Sequence, residues 1–221
     1  KNKEDIVIKL TGGIGALAKA RKVNIITGYA RFIASNQVSI DGSDEVIEFE
    51  DCIIAAGSRV TKIPSFPFDD DRVMDSTDAL ELADIPKRLL VVGGGIIGLE
   101  MATVYEALGS EITIVELAEQ LIPSADKDIV SPLFKRIKKS YANIYLNTKV
   151  TKMEALKKGI KVAFEGKVAP ETDTFDKVLV SVGRSPNGAL IDADKAGVSV
   201  DERGFIATDR QMKTNVAHIY A

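Results

Sequence analysis

Three glycines and one glutamate carry the clearest chemistry in the chain. Gly93, Gly95 and Gly98 stand at G-x-G-x-x-G spacing directly after the apolar run Leu89-Leu90-Val91-Val92. Gly94, Ile96 and Ile97 fill the intervals, and Glu100 follows at the start of a helical pattern. Glu116 closes a second apolar run about 20 residues further on. In such an array the first glycine permits a tight turn and the second lets backbone approach a pyrophosphate. The third lets helix and strand pack closely. The helix then offers free N–H groups and the positive end of its dipole to phosphates. A carboxylate ending the second strand accepts from both hydroxyls of an adenosine ribose and repels a 2′-phosphate. No arginine lies within three residues of Glu116. The array therefore reads as a site for NAD(H) rather than NADP(H).

These residues need strands and helices to hold them. Arg88 to Val92 reads as the first strand, Ile97 to Leu108 as the helix with Gly109 as its cap, and Glu111 to Val115 as the second strand. A further helix runs from about Asp126 or Asp128 to Tyr141. Pro132 is tolerable only in a first turn, so Ser131 is expected as its N-cap. Asn143 to Leu146 is a third strand. Thr151 to Leu156 and Ile160 to Glu165 form a hairpin, and Phe175 to Val182 is another strand, stopped by Gly183-Arg184-Ser185-Pro186-Asn187. The expected fold class is α/β: a three-layer, Rossmann-like NAD-binding domain, a parallel sheet with an antiparallel insertion.

The flanks differ in character. Ile6, Leu10, Ile14 and Leu17 recur at helical spacing, so Lys3 to Arg21 reads as an amphipathic helix. Gly12, Gly13 and Gly15 within it suggest close backbone approach or a break. Short strands follow at Val23–Ile26, Tyr29–Ala34, Gln37–Ile40, Val46–Phe49 and Cys52–Ala56, as an antiparallel meander. Arg59 to Asp75, with Pro64, Pro67 and the run Asp69-Asp70-Asp71, has the composition of a connector. The aspartates read as a solvated loop, since three adjacent carboxylates cannot all point one way. Ser76-Thr77-Asp78 caps a short helix. Near the end, Ala196–Val200 and Arg203–Ala207 read as an edge hairpin.

Composition bounds the rest. The 221 residues are 45% hydrophobic and 28% charged with net charge −3, ordinary for a globular protein and without the basic bias of a nucleic-acid or membrane-surface partner. No apolar stretch is long enough to cross a membrane. A single cysteine, Cys52, and a single histidine, His218, exclude an internal disulfide, a Cys-x-x-Cys redox pair and a His-rich metal site. Cys52 reads as a core thiol and His218 as structural, since no carboxylate lies within five residues of it. Cysteine usage fits a cytoplasmic setting, or a mitochondrial matrix if the source is eukaryotic. The chain opens on Lys1 and closes on the strand-like His218-Ile219-Tyr220-Ala221, and both ends read as cuts through a folded unit.

An ordered set of motifs resembles the pyridine nucleotide–disulfide oxidoreductases. It comprises Ala55-Ala56-Gly57-Ser58, Gly93 to Glu100, Ile114-Val115-Glu116, Gly183 to Asn187, and Thr214 to Ala221. The resemblance implies a partial FAD-binding domain at 1–64, a crossover at 65–80, an NAD-binding domain at 81–184, and a return to the flavin domain at 185–221. It implies electron flow from dihydrolipoamide, carried by lipoyl-bearing subunits of a 2-oxoacid dehydrogenase complex, through a disulfide and FAD to NAD⁺. It also implies a longer, homodimeric parent holding the redox cysteines, the flavin motif and a dimer domain. A lone chain, monomeric at this length, is then expected not to turn over. By residue, the resemblance gives Gly93, Gly94, Gly95, Ile96, Ile97 and Gly98 to the pyrophosphate, Glu116 to the ribose, Val150 to the adenine and Gly183 to the nicotinamide. Glu100 matches a carboxylate near the nicotinamide–flavin contact, or serves only as a helix-start acid favoured by the dipole. Gly28, Tyr29, Ala30 and Gly57 match vestigial FAD contacts. A sister NAD(P)H-dependent oxidase, peroxidase or disulfide reductase is an alternative, as is a non-catalytic NAD-binding module.

Overall fold

The structure is a computed structural model and describes residues 2–221. It divides into two compact units, a smaller one up to Ala56 and again from Asn187, and a larger one spanning Gly57–Pro186.

The smaller unit starts with helix α1 (Asn2–Ala20), unbroken across its glycines, none of which has a neighbour near its missing Cβ. The expected apolar face is present in the pattern but buries nothing: Ile6, Leu10, Ile14 and Leu17 are each more than half exposed. The segment 23–26, expected as a strand, is irregular. Strands β1 (Ala30–Ala34), β2 (Gln37–Ile40) and β3 (Val46–Glu48) form the antiparallel meander. β4 (Cys52–Ile53) leaves it and pairs in parallel with Ile219–Tyr220. Phe32, Ala196, Val198 and Ile219 make the core, with Phe49 edge-on to Phe32 at 6.0 Å and Cys52 half-buried beside them. Burial pushes the Cys52 thiol up, as expected of an inert core thiol. His218 Nε2 lies 3.0 Å from the Ser35 carbonyl and its ring packs near Phe49. The expected hairpin at 196–207 reduces to one antiparallel bridge, Val200 to Ile206; Ala193–Ala196 coils into a 3₁₀ turn, and the Ser199 N–H donates to Asn215 Oδ1 instead of to a strand.

The larger unit is built on a parallel sheet. In chain order its elements are β5 (Ser58–Val60), β6 (Val73–Met74), α2 (Ser76–Glu81), β7 (Arg88–Val92), α3 (Ile96–Ala107), β8 (Glu111–Val115), α4 (Lys127–Ile137), β9 (Asn143–Tyr145), β10 (Lys149–Leu156), β11 (Gly159–Glu165), β12 (Thr172–Phe175), β13 (Lys177–Val180) and β14 (Arg184–Pro186). Five strands lie in the order β6-β13-β7-β8-β9, every neighbouring pair parallel. Such strands are buried on both faces, which is why β7 and β8 read as continuous apolar runs. Alternation sorts their side chains. Leu89, Val91, Ile112 and Ile114 face the helices, with Leu99, Ala102 and Tyr105 of α3. Leu90, Val92, Val115 and Val178 face the opposite way, onto Val150, Met153, Ile160, Val162 and Phe164 of the antiparallel sheet β10-β11-β12. The three layers are therefore helices, parallel sheet and antiparallel sheet, as the α/β reading requires.

Three local expectations change. The run Phe175 to Val182 is not one strand. Asp176 breaks it: its N–H donates to the Arg88 carbonyl and its carboxylate accepts from the Arg88 N–H, so β12 stays in the antiparallel sheet while β13 enters the parallel one. Of the expected starts of α4 the structure takes Asp126, with Ile129 and Val130 both donating to its carbonyl; Ser131 is not the cap, and Pro132 lies inside the helix, which ends at Ile137 rather than Tyr141. α2 is capped by Asp75, not Ser76, through a capping box with Asp78.

The segment 59–75, connector-like in composition, and the implied crossover at 65–80 belong to the packed body of the larger unit. Phe66, Val73 and Met74 are buried, and β6 is an edge strand of the parallel sheet. Within it Asp70 accepts from Arg72 Nε (2.8 Å) and Nη2 (2.7 Å), and Arg72 Nη1 donates to the Leu156 carbonyl. The guanidinium lowers the Asp70 carboxyl from the usual 3.8 to about 2. A carboxyl depressed on folding stabilises the native state fully above its ordinary value and loses that contribution as pH falls through the folded one. Asp70→Asn should therefore cost up to about 1 kcal/mol at pH 7. The gap in melting temperature from the parent should close between about pH 4 and pH 2.

Candidate functional site

The carboxyl ends of β7, β8 and β13 open on one cleft of about 920 Å³. This is where an open α/β sheet takes ligands, next to the first strand where strand order reverses. The volume falls in the range of small-molecule sites. Gly93, Gly95, Ile96 and Ile97 line it after β7, Glu116 and Leu117 after β8, and Ser181, Val182 and Gly183 after β13. Val150 and Lys149 close another side from the start of β10.

Each glycine of the turn has a separate physical reason. Gly93 has φ +106°, and a Cβ there would collide with the Ser181 carbonyl. Gly98, one turn into α3, would drive a Cβ into the Gly93 carbonyl, and Ser181 Oγ would lie 2.6 Å away. These two set the close contact of helix and strand. Gly94 is buried against Leu121. Gly95 is different: it lines the cleft, and its missing Cβ meets nothing within 4 Å. It is also the N-cap of α3 without a side-chain cap, which leaves the first-turn N–H groups to a ligand. The residues present thus fit a dinucleotide: an uncapped helix N-terminus, open space at the glycine where backbone must approach, and a carboxylate beside it.

That carboxylate is already engaged. Glu116 Oε2 accepts from the Gly94 N–H at 2.7 Å, and Oε1 accepts from the Ala118 N–H at 2.8 Å. Glu116 is thus tied to the glycine turn itself. An ionised carboxylate has about four acceptor positions, so acceptor capacity remains for a ligand's hydroxyls.

The structure brings Gly93, Gly95, Ile96, Ile97, Glu116, Val150 and Gly183 to one cleft. Gly94 and Gly98 support it from behind as packing positions. Glu100 is exposed on α3 and does not line the cleft. Gly28, Tyr29 and Ala30 lie in the smaller unit. There a Cβ on Gly28 would collide with Ile40, the Tyr29 carbonyl accepts from the Asp41 N–H, and Tyr29 is 81% exposed. Gly57, with φ +66°, belongs to the larger unit. Sequence reasoning missed Ser181, whose N–H and Oγ both reach the end of β7. A serine after an apolar run carries no spacing signal. Among the described residues no cluster of His, Cys, Asp and Glu is arranged to hold a metal, and no helix is long and apolar enough to cross a membrane.

A βαβ unit with a glycine turn, an acid at the second strand end and an antiparallel third layer defines a dinucleotide-binding module. The chain belongs to the pyridine nucleotide-disulphide oxidoreductase family, whose sequence profile matches residues 2–221. It is 54% identical over 222 residues to the dihydrolipoyl dehydrogenase of Vibrio cholerae, covering 99% of this chain and 46% of that protein. Identity to the Haemophilus influenzae dihydrolipoyl dehydrogenase is also 54%, with the same coverage. Among solved structures, the HOCl-induced flavoprotein disulfide reductase RclA from Escherichia coli superposes with a TM-score of 0.87 at 28% identity, covering 99% of this chain and 50% of that one. The chain spans about half the length of the curated relatives it matches.

Proposed function

We propose that the cleft of the larger unit binds NAD(H), and that the protein containing this chain acts as a dihydrolipoyl dehydrogenase. The proposed electron path runs from a dihydrolipoyl group through a disulfide and FAD to NAD⁺. The observation that carries the NAD reading is the position of Glu116, on the cleft wall and hydrogen-bonded to the glycine turn. The 54% identity to dihydrolipoyl dehydrogenases, against 28% to the disulfide reductase, favours the lipoyl substrate over a sister reaction. Lipoyl-bearing subunits of a 2-oxoacid dehydrogenase complex and a second copy of the full-length chain are the proposed partners.

When bound, NAD⁺ supplies a two-electron acceptor that takes a hydride. The chain's own residues bind and orient it. The first-turn amides of α3 take the pyrophosphate, and Gly95 gives it room to approach. Glu116 accepts from the ribose hydroxyls while repelling a 2′-phosphate. Val150, buried at the start of β10, offers an apolar contact to the adenine, and Gly183, at φ +118°, leaves space free of side chain at the nicotinamide end. Glu100 lies outside the cleft lining and past the first turn of α3, which holds no acid, so neither a nicotinamide contact nor a helix-start role is proposed for it. For FAD, Gly28, Tyr29, Ala30 and Gly57 are the proposed contacts in the full-length protein.

Glu116→Ala tests the reading by calorimetric titration. The native chain should prefer NADH to NADPH by at least about tenfold. The variant should bind NADH about tenfold more weakly, in line with loss of hydrogen bonds to a charged group. Its preference should narrow, because the repulsion of the 2′-phosphate is gone. Tighter binding of NADPH than NADH by the native chain overturns the ribose assignment.

A further inference from the structure

We infer that Ser181 is a positioning residue of the cleft: its hydroxyl holds the glycine turn in the shape that receives a pyrophosphate. The inference rests on the NAD(H) reading and deepens it. Ser181 follows β13, the neighbour of β7, and lines the cleft while half-buried. Its N–H donates to the Val92 carbonyl at 2.8 Å, extending the β7–β13 pairing by one residue. Its Oγ lies 3.1 Å from the Val92 carbonyl and 3.2 Å from the Gly93 carbonyl, so one hydroxyl proton is shared between the two carbonyls where the strand turns. The same Oγ would lie 2.6 Å from a Cβ on Gly98. The side chain therefore lies against the first and third glycines of the motif, Gly93 and Gly98, and Glu116 holds Gly94, which lies between the first two motif glycines.

The two tethers add to three backbone hydrogen bonds of the turn: the Gly93 N–H donates to the Val115 carbonyl, and the Gly94 and Gly95 carbonyls accept from the Ile122 and Leu99 N–H groups. Glycine has the widest backbone freedom of any residue, and Gly93, Gly94 and Gly95 stand in succession. The Gly93 carbonyl bears on how close Gly98 and the first turn of α3 approach β7. Fixing that carbonyl with Ser181 Oγ fixes where the free N–H groups of α3 point. The remaining lone pairs of Oγ, after it donates its one proton, carry no role in this inference.

The test compares the native chain with Ser181→Ala and Ser181→Cys. Two probes are titrated, ADP-ribose, which contains the pyrophosphate, and adenosine, which does not. Thermal midpoints and amide hydrogen exchange are measured alongside. Ser181→Ala should weaken ADP-ribose and NAD⁺ about tenfold, leave adenosine within about twofold, and speed exchange at residues 93–98 but not in β8. Ser181→Cys, with its weaker donor, should fall between. Equal losses for ADP-ribose and adenosine with a lowered midpoint would reduce Ser181 to a packing residue. Unchanged affinities would remove it from the site. If the native chain binds neither ADP-ribose nor NAD⁺, the NAD(H) reading itself fails, a result distinct from either.

Discussion

Gly95→Ala is expected to abolish useful dinucleotide binding while leaving the fold intact. The backbone at Gly95 has φ −77° and ψ −177°, a conformation open to any residue, and its missing Cβ meets nothing within 4 Å. As an uncapped N-cap position it loses about 1 kcal/mol at most on replacement by alanine. Because Gly95 lines the cleft, the new methyl is expected to take space that an approaching pyrophosphate needs. A loss of about 100-fold in NADH affinity, or roughly 2.7 kcal/mol, is expected. Unfolding curves should shift by only a few degrees. A variant that binds NADH normally would mean that the phosphates do not lie against this turn.

Gly93→Ala should do the reverse and damage the fold first. Its φ of +106° is a region that side chains rarely adopt, and its Cβ would run into the Ser181 backbone rather than into a side-chain tip that could swing away. Backbone strain of about 1–3 kcal/mol and overpacking of about 1–3 kcal/mol then act together. The expected cost is about 3–5 kcal/mol, a drop on the order of 10 °C in melting temperature. Gly98→Ala should behave similarly, since it meets the Gly93 carbonyl. A Gly93→Ala chain as stable as the native one would contradict the close packing of β7, α3 and β13. The contrast with Gly95 matters most: two glycines of one motif, one serving the fold and the other the ligand.

The site was legible in the sequence wherever chemistry is tied to spacing. Gly93, Gly95, Gly98 and Glu116 follow from a βαβ unit whose element lengths are nearly fixed, so counting residues locates them. The layers were legible too, because a run such as Leu89 to Val92 has no polar face to give to water. What escaped depends on partners remote in the chain. The break at Asp176 is made by Arg88, 88 residues away, and no local pattern announces it. Ser181 gains its place only when β13 lies beside β7. The connector reading of residues 59–75 relied on prolines and aspartates. Yet Phe66, Val73 and Met74 are buried, and one of those aspartates, Asp70, is occupied by Arg72. Pro132 shows the limit of a positional rule: α4 starts after its N-cap Asp126 and accommodates the ring several residues later. The dual engagement of Glu116 was also invisible, since sequence places a carboxylate but not the backbone N–H groups it meets.

The most direct measurement is a titration of the native chain with NADH and NADPH, followed by the quenching or enhancement of reduced nicotinamide fluorescence. One saturable NADH site per chain, with NADPH at least about tenfold weaker, is the predicted result. No saturable NADH binding, or a preference for NADPH, would contradict the assignment of the Gly93–Glu116 cleft.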